Sequence, residues 1–351
     1  MKTEWIKGVA HYHTGFRYPG ETRLSPQKMA QDLKRLGAKF AFCAGDHGDQ
    51  DGNYYWGLDV REFGEFREFC LTESARHDFL FIPAPEIHLM FPPFSERHEH
   101  HSCVPLAGFE PSLEPPETRA LAASFTRDVE GLMAEARRQG IALTLNHPWL
   151  SVHSAFGGPP PLEVPGLEAM DCFELFTIDH PDKFPLDFGM YLSFLRRERS
   201  GGMGCCASVD NAVNPNAAVS DETRIVPATY LGVNGELTVD SVMEAWNDRR
   251  SCAVYGDFRI ERLEPVPSRA LVKAKIPFLR LAAANLGGKK IGRVEIFRNG
   301  EKVFEDQGKG SERYSLDWED RKTDRKTNRY VLHVEAEGEH LIVSPIGFQT
   351  G

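Results

Sequence analysis

The sequence contains no apolar run long enough to cross a bilayer as a helix, which takes roughly 20 residues. The first residues, Met1-Lys2-Thr3-Glu4-Trp5, also lack the apolar segment and the cleavage site of a secretory leader. We therefore expect a cytoplasmic protein with no membrane partner.

An excess of positive charge is missing as well. The 41 Lys and Arg residues are outnumbered by 51 Asp and Glu residues, which gives a formal net charge of −10 at pH 7. Broad binding to a nucleic-acid backbone needs a basic surface. The charge balance argues against nucleic acid as the main partner, while a local basic pocket for one small anion and the oligomeric state stay open.

None of the seven cysteines stands in a C-x-x-C spacing, and their number is odd. Both facts argue against a disulfide framework and against a thiolate zinc site. The cysteines are predicted to be reduced and mostly buried. Any metal site must therefore use histidine and carboxylate ligands.

Short apolar runs alternate with helix-like segments up to about residue 260, a pattern typical of parallel strands covered by helices. The first helix is predicted to begin at Pro26, with Ser25 as its N-cap. Polar residues directly follow several apolar runs, as in Gly45-Asp46-His47-Gly48. Because the ends of parallel strands form the catalytic face of a (β/α) barrel, the pattern favours this fold.

The composition changes near Glu264-Pro265-Val266-Pro267-Ser268, which resembles a linker. Beyond it, runs with a period of two and the hairpin signal Asn299-Gly300 indicate antiparallel strands. We predict two domains, an α/β barrel over residues 1–263 and a small antiparallel β-sandwich over residues 268–351.

His11 and His13 flank Tyr12 at the end of the first apolar run. Alternate residues of a strand point to one side, so the two imidazoles can converge on one point. Alone the pair is weak evidence, because 13 histidines in 351 residues will sometimes fall two apart. Further polar motifs follow predicted strands: Gly45-Asp46-His47-Gly48, Glu86, His98-Glu99-His100-His101, Asn146-His147-Pro148 and Ser208-Val209-Asp210.

This ordered series, spread over residues 8 to 212, resembles the PHP family, named for polymerase and histidinol phosphatase. The C-terminal part, with Arg298-Asn299-Gly300 and Ser344-Pro345-Ile346, further resembles the metallohydrolase branch that includes carbamate and amide hydrolases. The resemblance implies an α/β fold in which a distorted (β/α)7 barrel holds two or three metal ions at its strand ends, followed by the sandwich.

By position, the resemblance implies six metal ligands, which are His11, His13, Glu86, His101, His147 and Asp210. Glu86 is expected to bridge two divalent cations, one held with His11, His13 and Asp210 and the other with the two remaining histidines. His98 and His100 are alternatives to His101, which is favoured because it directly precedes a strand-like run. Imidazole and carboxylate ligands together suit zinc, manganese or iron, and a water shared by two such ions becomes a nucleophile near neutral pH.

The sequence departs from the family pattern at a third metal site. The closing Asp-X-His motif is Asp210-Asn211-Ala212 here, so its histidine is missing. A third metal is therefore expected to bind weakly or not at all. The remaining candidates for this site, or for use as alternative ligands, are His47, His100 and Glu21.

We predict a metal-dependent hydrolase, with phosphoester hydrolysis on a small substrate as the first choice. Asp46 or His47 is expected to protonate the leaving group, and Arg17 and Arg23 to clamp an anionic substrate. Glu174 is expected to hydrogen-bond to a ligand histidine. Two alternatives stay open: hydrolysis of a carboxylic ester, amide or carbamate, and a non-catalytic binding module that keeps metals for stability.

Overall fold

The computed structural model describes residues 3–14, 16, 25–45, 47–48, 54–55, 58–91, 99–113, 125–148, 170–177, 184–197, 202–210, 225–323 and 325–350. These residues contain five α-helices: α1 (Pro26–Arg35), α2 (Phe63–His77), α3 (Val129–Gln139), α4 (Phe184–Arg196) and α5 (Val239–Asn247). A short 3₁₀ helix, Val60–Glu62, precedes α2. No helix in these ranges combines the length and the apolar character needed to span a membrane.

Local sequence explains where the helices begin. Ser25 caps α1 as predicted, because its Oγ accepts a hydrogen bond from the Lys28 amide at 3.3 Å while Pro26 occupies the first helical position. Asp128 caps α3 in the same way through the Gly131 amide at 2.9 Å. Each cap satisfies an amide that the first helical turn leaves without an intrahelical partner.

Ten of the strands, which are numbered β1 to β21 along the chain, form one mixed sheet. β1 (Thr3–Tyr12), β2 (Phe40–Cys43) and β5 (Leu80–Pro83) are parallel neighbours in it. On the other side of β1, β12 (Pro227–Asn234) and β13 (Ser251–Tyr255) extend the sheet with antiparallel pairing. Its other strands are β15 (Ser268–Lys273), β17 (Ile291–Arg298), β18 (Glu301–Gln307), β20 (Thr327–Ala336) and β21 (Glu339–Gln349).

Smaller sheets lie beside the first part of the large sheet. Three parallel strands form one of them, namely β9 (Thr144–Leu145), β10 (Cys172–Phe176) and β11 (Gly204–Ala207). A second places β6 (Glu86–Met90) between β7 (Glu99–Cys103) and β8 (Phe125–Thr126). A third is the two-residue pair β3 (His47–Gly48) and β4 (Tyr54–Tyr55).

The C-terminal strands form two facing sheets. β14 (Phe258–Glu264), β16 (Phe278–Asn285) and β19 (Arg313–Glu319) are antiparallel neighbours in one of them. Their apolar side chains share a buried cluster with β17, β20 and β21 of the large sheet, to which Leu281 and Ile296 belong. The predicted division into two domains at residues 263 to 268 stays a prediction. β13 lies before this boundary and β21 after it, and the two strands pair within a single sheet.

The predicted (β/α)7 barrel is wrong. Strands make up 45% of the structure and helices 23%, and the described residues form no closed barrel. β12 runs antiparallel to both β1 and β13, so the large sheet continues into the C-terminal strands instead of closing. The alternation of apolar runs and helices indicates which elements form, but it does not specify the direction in which each strand pairs.

Buried hydrogen bonds join β11 to β13 and β21 of the large sheet. The Cys205 amide donates to Ser344 Oγ at 2.9 Å, and Ser251 Oγ donates to the Cys205 carbonyl at 2.8 Å. All three residues are buried, so the loss of either bond would leave a polar group unsatisfied at a cost of about 1–3 kcal/mol. Cys205 is one of seven cysteines, all of which are buried thiols without a disulfide, as predicted.

The turn between β17 and β18 packs against α4. It consists of Asn299 and Gly300, at the position where the sequence predicts a hairpin, and their φ values of +50° and +80° suit a type I′ turn. The Gly300 carbonyl accepts a hydrogen bond from Arg196 Nε at 3.2 Å. A Cβ atom at Gly300 would lie 2.2 Å from the Leu192 carbonyl oxygen, so only glycine fits here.

Replacing Gly300 with alanine is expected to lower the free energy of unfolding by about 2–4 kcal/mol. A side chain at positive φ costs about 1 kcal/mol, and the clash with the backbone of α4 adds about 1–3 kcal/mol. Gly338→Ala is the matched control, because Gly338 has a φ of +83° in the β20–β21 turn but open space around an added Cβ. Urea unfolding should show the larger loss for Gly300→Ala, and equal losses would contradict the packing of this turn on α4.

Candidate metal centre

Side chains from the ends of several strands meet at one mostly buried point. His11 belongs to β1, His13 follows that strand, and Glu86 begins β6. His147 follows β9, and Asp210 lies three residues beyond β11. The Asp210 amide donates to the His11 carbonyl at 3.2 Å, which fixes the end of β11 beside β1. Residues from distant parts of the sequence are thereby brought into one cluster.

The pairing of β6 with β7 decides which of the clustered histidines reaches this point. Glu86 lies opposite Cys103 in this antiparallel pair, and side chains alternate between the two faces of a strand. His101 therefore shares the face of Glu86, and its Nδ1 lies 3.4 Å from Glu86 Oε1. His100 lies on the other face, where its ring centroid is 5.7 Å from that of Phe91. The structure thus places His101, and not His100, beside Glu86.

His11, His13 and Glu86 form one group of potential ligands. The Nε2 atoms of His11 and His13 are 3.0 Å apart, and His13 Nε2 lies 3.5 Å from Glu86 Oε2. Asp210 adjoins this group, with its Oδ1 3.4 Å from His13 Nε2 and 4.0 Å from His11 Nε2. Both histidines are fully buried, so water does not compete for these atoms.

Glu86 also belongs to a second group, with His101 and His147. Its Oε1 lies 3.0 Å from His147 Nε2 and 3.4 Å from His101 Nδ1. Its other oxygen, Oε2, faces His13. Oε1 also lies 3.7 Å from His11 Nε2, and His11, His147 and Asp210 form a third possible group. Glu86 is therefore shared between overlapping sets of ligands, as expected of a bridging carboxylate.

Asn146 and Glu174 orient these ligands without belonging to either group. Asn146 Nδ2 donates to Glu86 Oε1 at 2.8 Å. Glu174 Oε2 lies 3.3 Å from His11 Nδ1, and Glu174 Oε1 accepts a hydrogen bond from Ser208 Oγ at 2.7 Å. The sequence predicts the contact between Glu174 and a ligand histidine. It does not predict the roles of Asn146 and Ser208, although these residues belong to the motifs that contain His147 and Asp210.

The spacing of the ligand atoms suits a metal ion. Atoms about 2.1 Å from one cation, at angles of roughly 90–110° from each other, lie about 3.0–3.4 Å apart. The closest contacts within the two groups and with Asp210 are 3.0–3.5 Å. These buried histidine and carboxylate groups can therefore hold a metal ion.

The charge balance of the cluster also favours a cation. Glu86, Asp210 and Glu174 bring three carboxylates together, and burial of such charges is costly unless they are compensated. Histidines are the basic groups that the structure shows beside Glu86 and Asp210. Without a metal, protons must supply the compensation: burial alone would lower the pKa of His147, but Asp210 and Glu86 raise this pKa to about 10.

Metal binding is expected to release protons and to tighten as the pH rises from about 6.5 to 9, because a cation must displace the proton held by His147. Because the pKa of His147 is raised in the folded protein, protonation of His147 stabilises the metal-free protein, and this stabilisation is fully present below the unfolded pKa of 6.5. That stabilisation is lost as the pH rises through about 10. Calorimetric titration of metal at pH 7.5, in two buffers of different ionisation enthalpy, should show at least one proton released; zero release would contradict this account.

His147 and Asp210 both have positive φ values, +24° and +39°. Such values are uncommon outside glycine, cost about 1–3 kcal/mol each, and cluster at functional sites. The strain falls on two of the six candidate ligands, which come from different strands. The backbone at His147 and Asp210 therefore adopts a strained conformation that places both side chains in the cluster, at a cost in stability.

Several predicted site residues lie outside the described residues, namely Arg17, Glu21, Arg23, Asp46 and His98. For His47, the backbone is described as part of β3, but the side chain is not. The proton donor, the substrate clamp and the third metal site therefore stay predictions.

No protein-family model and no curated protein matches this chain. A lytic polysaccharide monooxygenase from Jonesia denitrificans shares 11% identity, with 38% of this chain and 84% of that chain covered, at a TM-score of 0.21. OgpA from Akkermansia muciniphila shares 10% identity over 99% and 94% of the two chains, at a TM-score of 0.20. Fibronectin(III)-like modules of CbhA from Clostridium thermocellum share 15% identity over 26% and 94%, at a TM-score of 0.17. Similarity at this level carries no argument about function.

Proposed function

We propose that this protein is a metal-dependent hydrolase with a two-cation centre. The observation that carries the proposal is the position of Glu86, which has His13 at 3.5 Å from one carboxylate oxygen and His147 at 3.0 Å from the other. The first cation is assigned to His11, His13 and Asp210, the second to His101 and His147, and Glu86 is shared by both. Two-metal hydrolytic sites hold their cations about 3.5–4 Å apart, a distance that one carboxylate can bridge.

The chain supplies the orientation that such a centre requires. When His11 Nδ1 donates to Glu174, the Nε2 lone pair of His11 is left for a cation. Asn146 holds the Glu86 carboxylate from the other side. The donor set suits zinc, manganese or iron. When bound, a pair of such ions lowers the pKa of a water molecule and stabilises the charge that develops on the substrate.

Roles outside the described residues complete the proposal. Asp46 or His47 protonates the leaving group, since both follow β2 in sequence and are expected at the mouth of the centre. Arg17 and Arg23 follow His13 and bind an anionic substrate group. The proposal also includes the resemblance to PHP metallohydrolases, which the order of the ligand motifs supports, and it does not require a closed barrel.

Phosphoester hydrolysis is the first proposed activity, and hydrolysis of a carboxylic ester, amide or carbamate is the alternative. The test compares p-nitrophenyl phosphate with p-nitrophenyl acetate and an aryl carbamate, using metal-free protein with added manganese, zinc or iron. His147→Ala should abolish the turnover. His77→Ala is the control, because His77 contacts Glu73 within α2 and should leave turnover unchanged.

Turnover of phosphate alone would support the first activity, and turnover of the esters or carbamates alone would support the alternative. If neither class reacts with any of the three metals, the hydrolase proposal fails. A binding module that uses metal for stability would then remain.

A further inference from the structure

A second histidine pair lies among the C-terminal strands. His333 of β20 and His340 of β21 stand on neighbouring antiparallel strands, and His333 Nε2 is 3.1 Å from His340 Nδ1. Glu295 of β17 lies behind the pair, with its Oε2 2.9 Å from His333 Nδ1. His333 and Glu295 are only 3% and 6% exposed. Two imidazole nitrogens are thus held close together, backed by a buried carboxylate.

This arrangement repeats the one at the candidate metal centre. There, two imidazole nitrogens are 3.0 Å apart, and Glu174 lies 3.3 Å from the far nitrogen of His11. In the second pair the corresponding distances are 3.1 Å and 2.9 Å. A carboxylate that accepts from one ring nitrogen leaves the lone pair of the other nitrogen for a cation. The orientation of His333 toward His340 is therefore the one that a metal ligand needs.

The charged groups around the pair set how strongly a cation can bind. Lys302 Nζ and Arg293 Nε lie 3.2 Å and 3.7 Å from the Glu295 carboxylate, and Arg293 also pairs with Glu335 at 2.7 Å. Glu335 stands opposite His340 in the strand register. Because Glu295 is already partly neutralised, we expect weaker binding here than at the Glu86 centre.

His340 is kept neutral by its surroundings. Burial, together with the nearby charge of Arg293, lowers the pKa of His340 to about 3. The Phe184 ring centroid lies 4.3 Å from that of His340, and the Phe188 centroid lies 5.2 Å from that of His333. These apolar rings offer no polar group to an organic ligand, so the fit is to a small ion with water as its remaining ligands.

We propose that His333 and His340 bind one transition-metal ion at a site separate from the Glu86 centre. Imidazole nitrogen suits nickel, copper and zinc, and among first-row divalent ions the affinity is highest for Cu²⁺. Copper(II) is accordingly expected to bind most tightly. Glu295 orients His333 and compensates part of the charge of the ion. This site does not depend on the proposed hydrolase activity.

The test uses the full chain carrying His11→Gln, His13→Gln and His147→Gln, which removes three of the histidines of the Glu86 centre, stripped of metal and titrated with Cu²⁺. Electron paramagnetic resonance at one equivalent should show hyperfine coupling to two imidazole nitrogens. Adding His340→Gln should raise the Kd for Cu²⁺ at least tenfold and remove that signal. His77→Gln is the matched control, because His77 contacts a carboxylate on α2 and should leave both measurements unchanged.

Equal Cu²⁺ affinity and an unchanged spectrum with and without His340 would overturn the proposal, since the pair would then be a hydrogen-bonded chain only. If the His340 variant does not fold, crystals of the unsubstituted protein soaked in Zn²⁺ or Cu²⁺ decide the question. An anomalous peak between His333 Nε2 and His340 Nδ1 supports the site. No peak there while the Glu86 centre is filled rejects it.

Discussion

Glu86→Ala is expected to lower kcat/KM by about a hundredfold to a thousandfold and to strip bound metal from the protein. Removal of a single preorganised charged or hydrogen-bonding group from an active site has an effect of about this size. The loss in kcat/KM for Glu86→Ala should lie at the upper end of this range, because Glu86 contacts ligands of both proposed cations. Metal content by inductively coupled plasma mass spectrometry, with kcat/KM on the active substrate, checks both parts of the prediction.

Glu73→Ala is the matched control for Glu86→Ala. Both glutamates are 8% exposed, but Glu73 accepts hydrogen bonds from Arg76 and contacts His77 within α2, outside the ligand cluster. The control should lose some stability and keep its metal and activity. Full metal content and unchanged kcat/KM in Glu86→Ala would rule out the two-cation centre. Loss of metal and thermal stability in a protein that never shows turnover would indicate a structural metal site.

Glu174→Gln is expected to weaken metal binding by about 10–100-fold, the usual effect of changing a group that orients a ligand histidine. In the variant, the glutamine oxygen can still accept from Ser208, which turns its amide N–H toward His11 Nδ1. That contact favours the tautomer with hydrogen on Nε2, the nitrogen that faces His13. Competition with a fluorescent chelator gives the metal Kd for both proteins.

Ser208→Ala provides the comparison for Glu174→Gln. It removes the 2.7 Å hydrogen bond to Glu174 but leaves the carboxylate at His11, so the metal Kd should rise less than tenfold. Saturating metal should restore most of the kcat of Glu174→Gln if positioning of His11 is the cause. An unchanged metal Kd in Glu174→Gln would show that this carboxylate has no role in orienting the ligand.

The sequence predicts the members of the cluster better than their contacts. The period of two along a strand is enough to bring His11 and His13 together, and the structure places their Nε2 atoms 3.0 Å apart. The choice between His100 and His101 depends on the register of β6 and β7, which a single sequence does not display. Asn146 escapes notice for a similar reason, because its position beside Glu86 depends on the hydrogen bond from its backbone N–H to the carbonyl of His101, which is distant in sequence.

The fold shows the same limit on a larger scale. Caps such as Ser25 and the turn at Asn299-Gly300 are encoded locally, and the structure contains both. Whether β12 pairs parallel or antiparallel with β1 depends on contacts between residues more than 200 positions apart, such as Thr3 and Asn234. Helix and strand alternation contains no information on that choice, so the barrel prediction fails while the ligand series still converges.

The continuity of the large sheet bears on how this protein can be divided. β13 lies between β12 and β21, and a chain cut after β14 would leave β13 with a row of unpaired amides and carbonyls along one side. An apolar edge strand of this kind is a template for aggregation. The same cut would remove Ser344, which accepts a hydrogen bond from Cys205 of β11, the strand that ends three residues before Asp210. The C-terminal strands are therefore structural support for the candidate metal centre, and a fragment without them is a poor substitute for the intact protein in any assay.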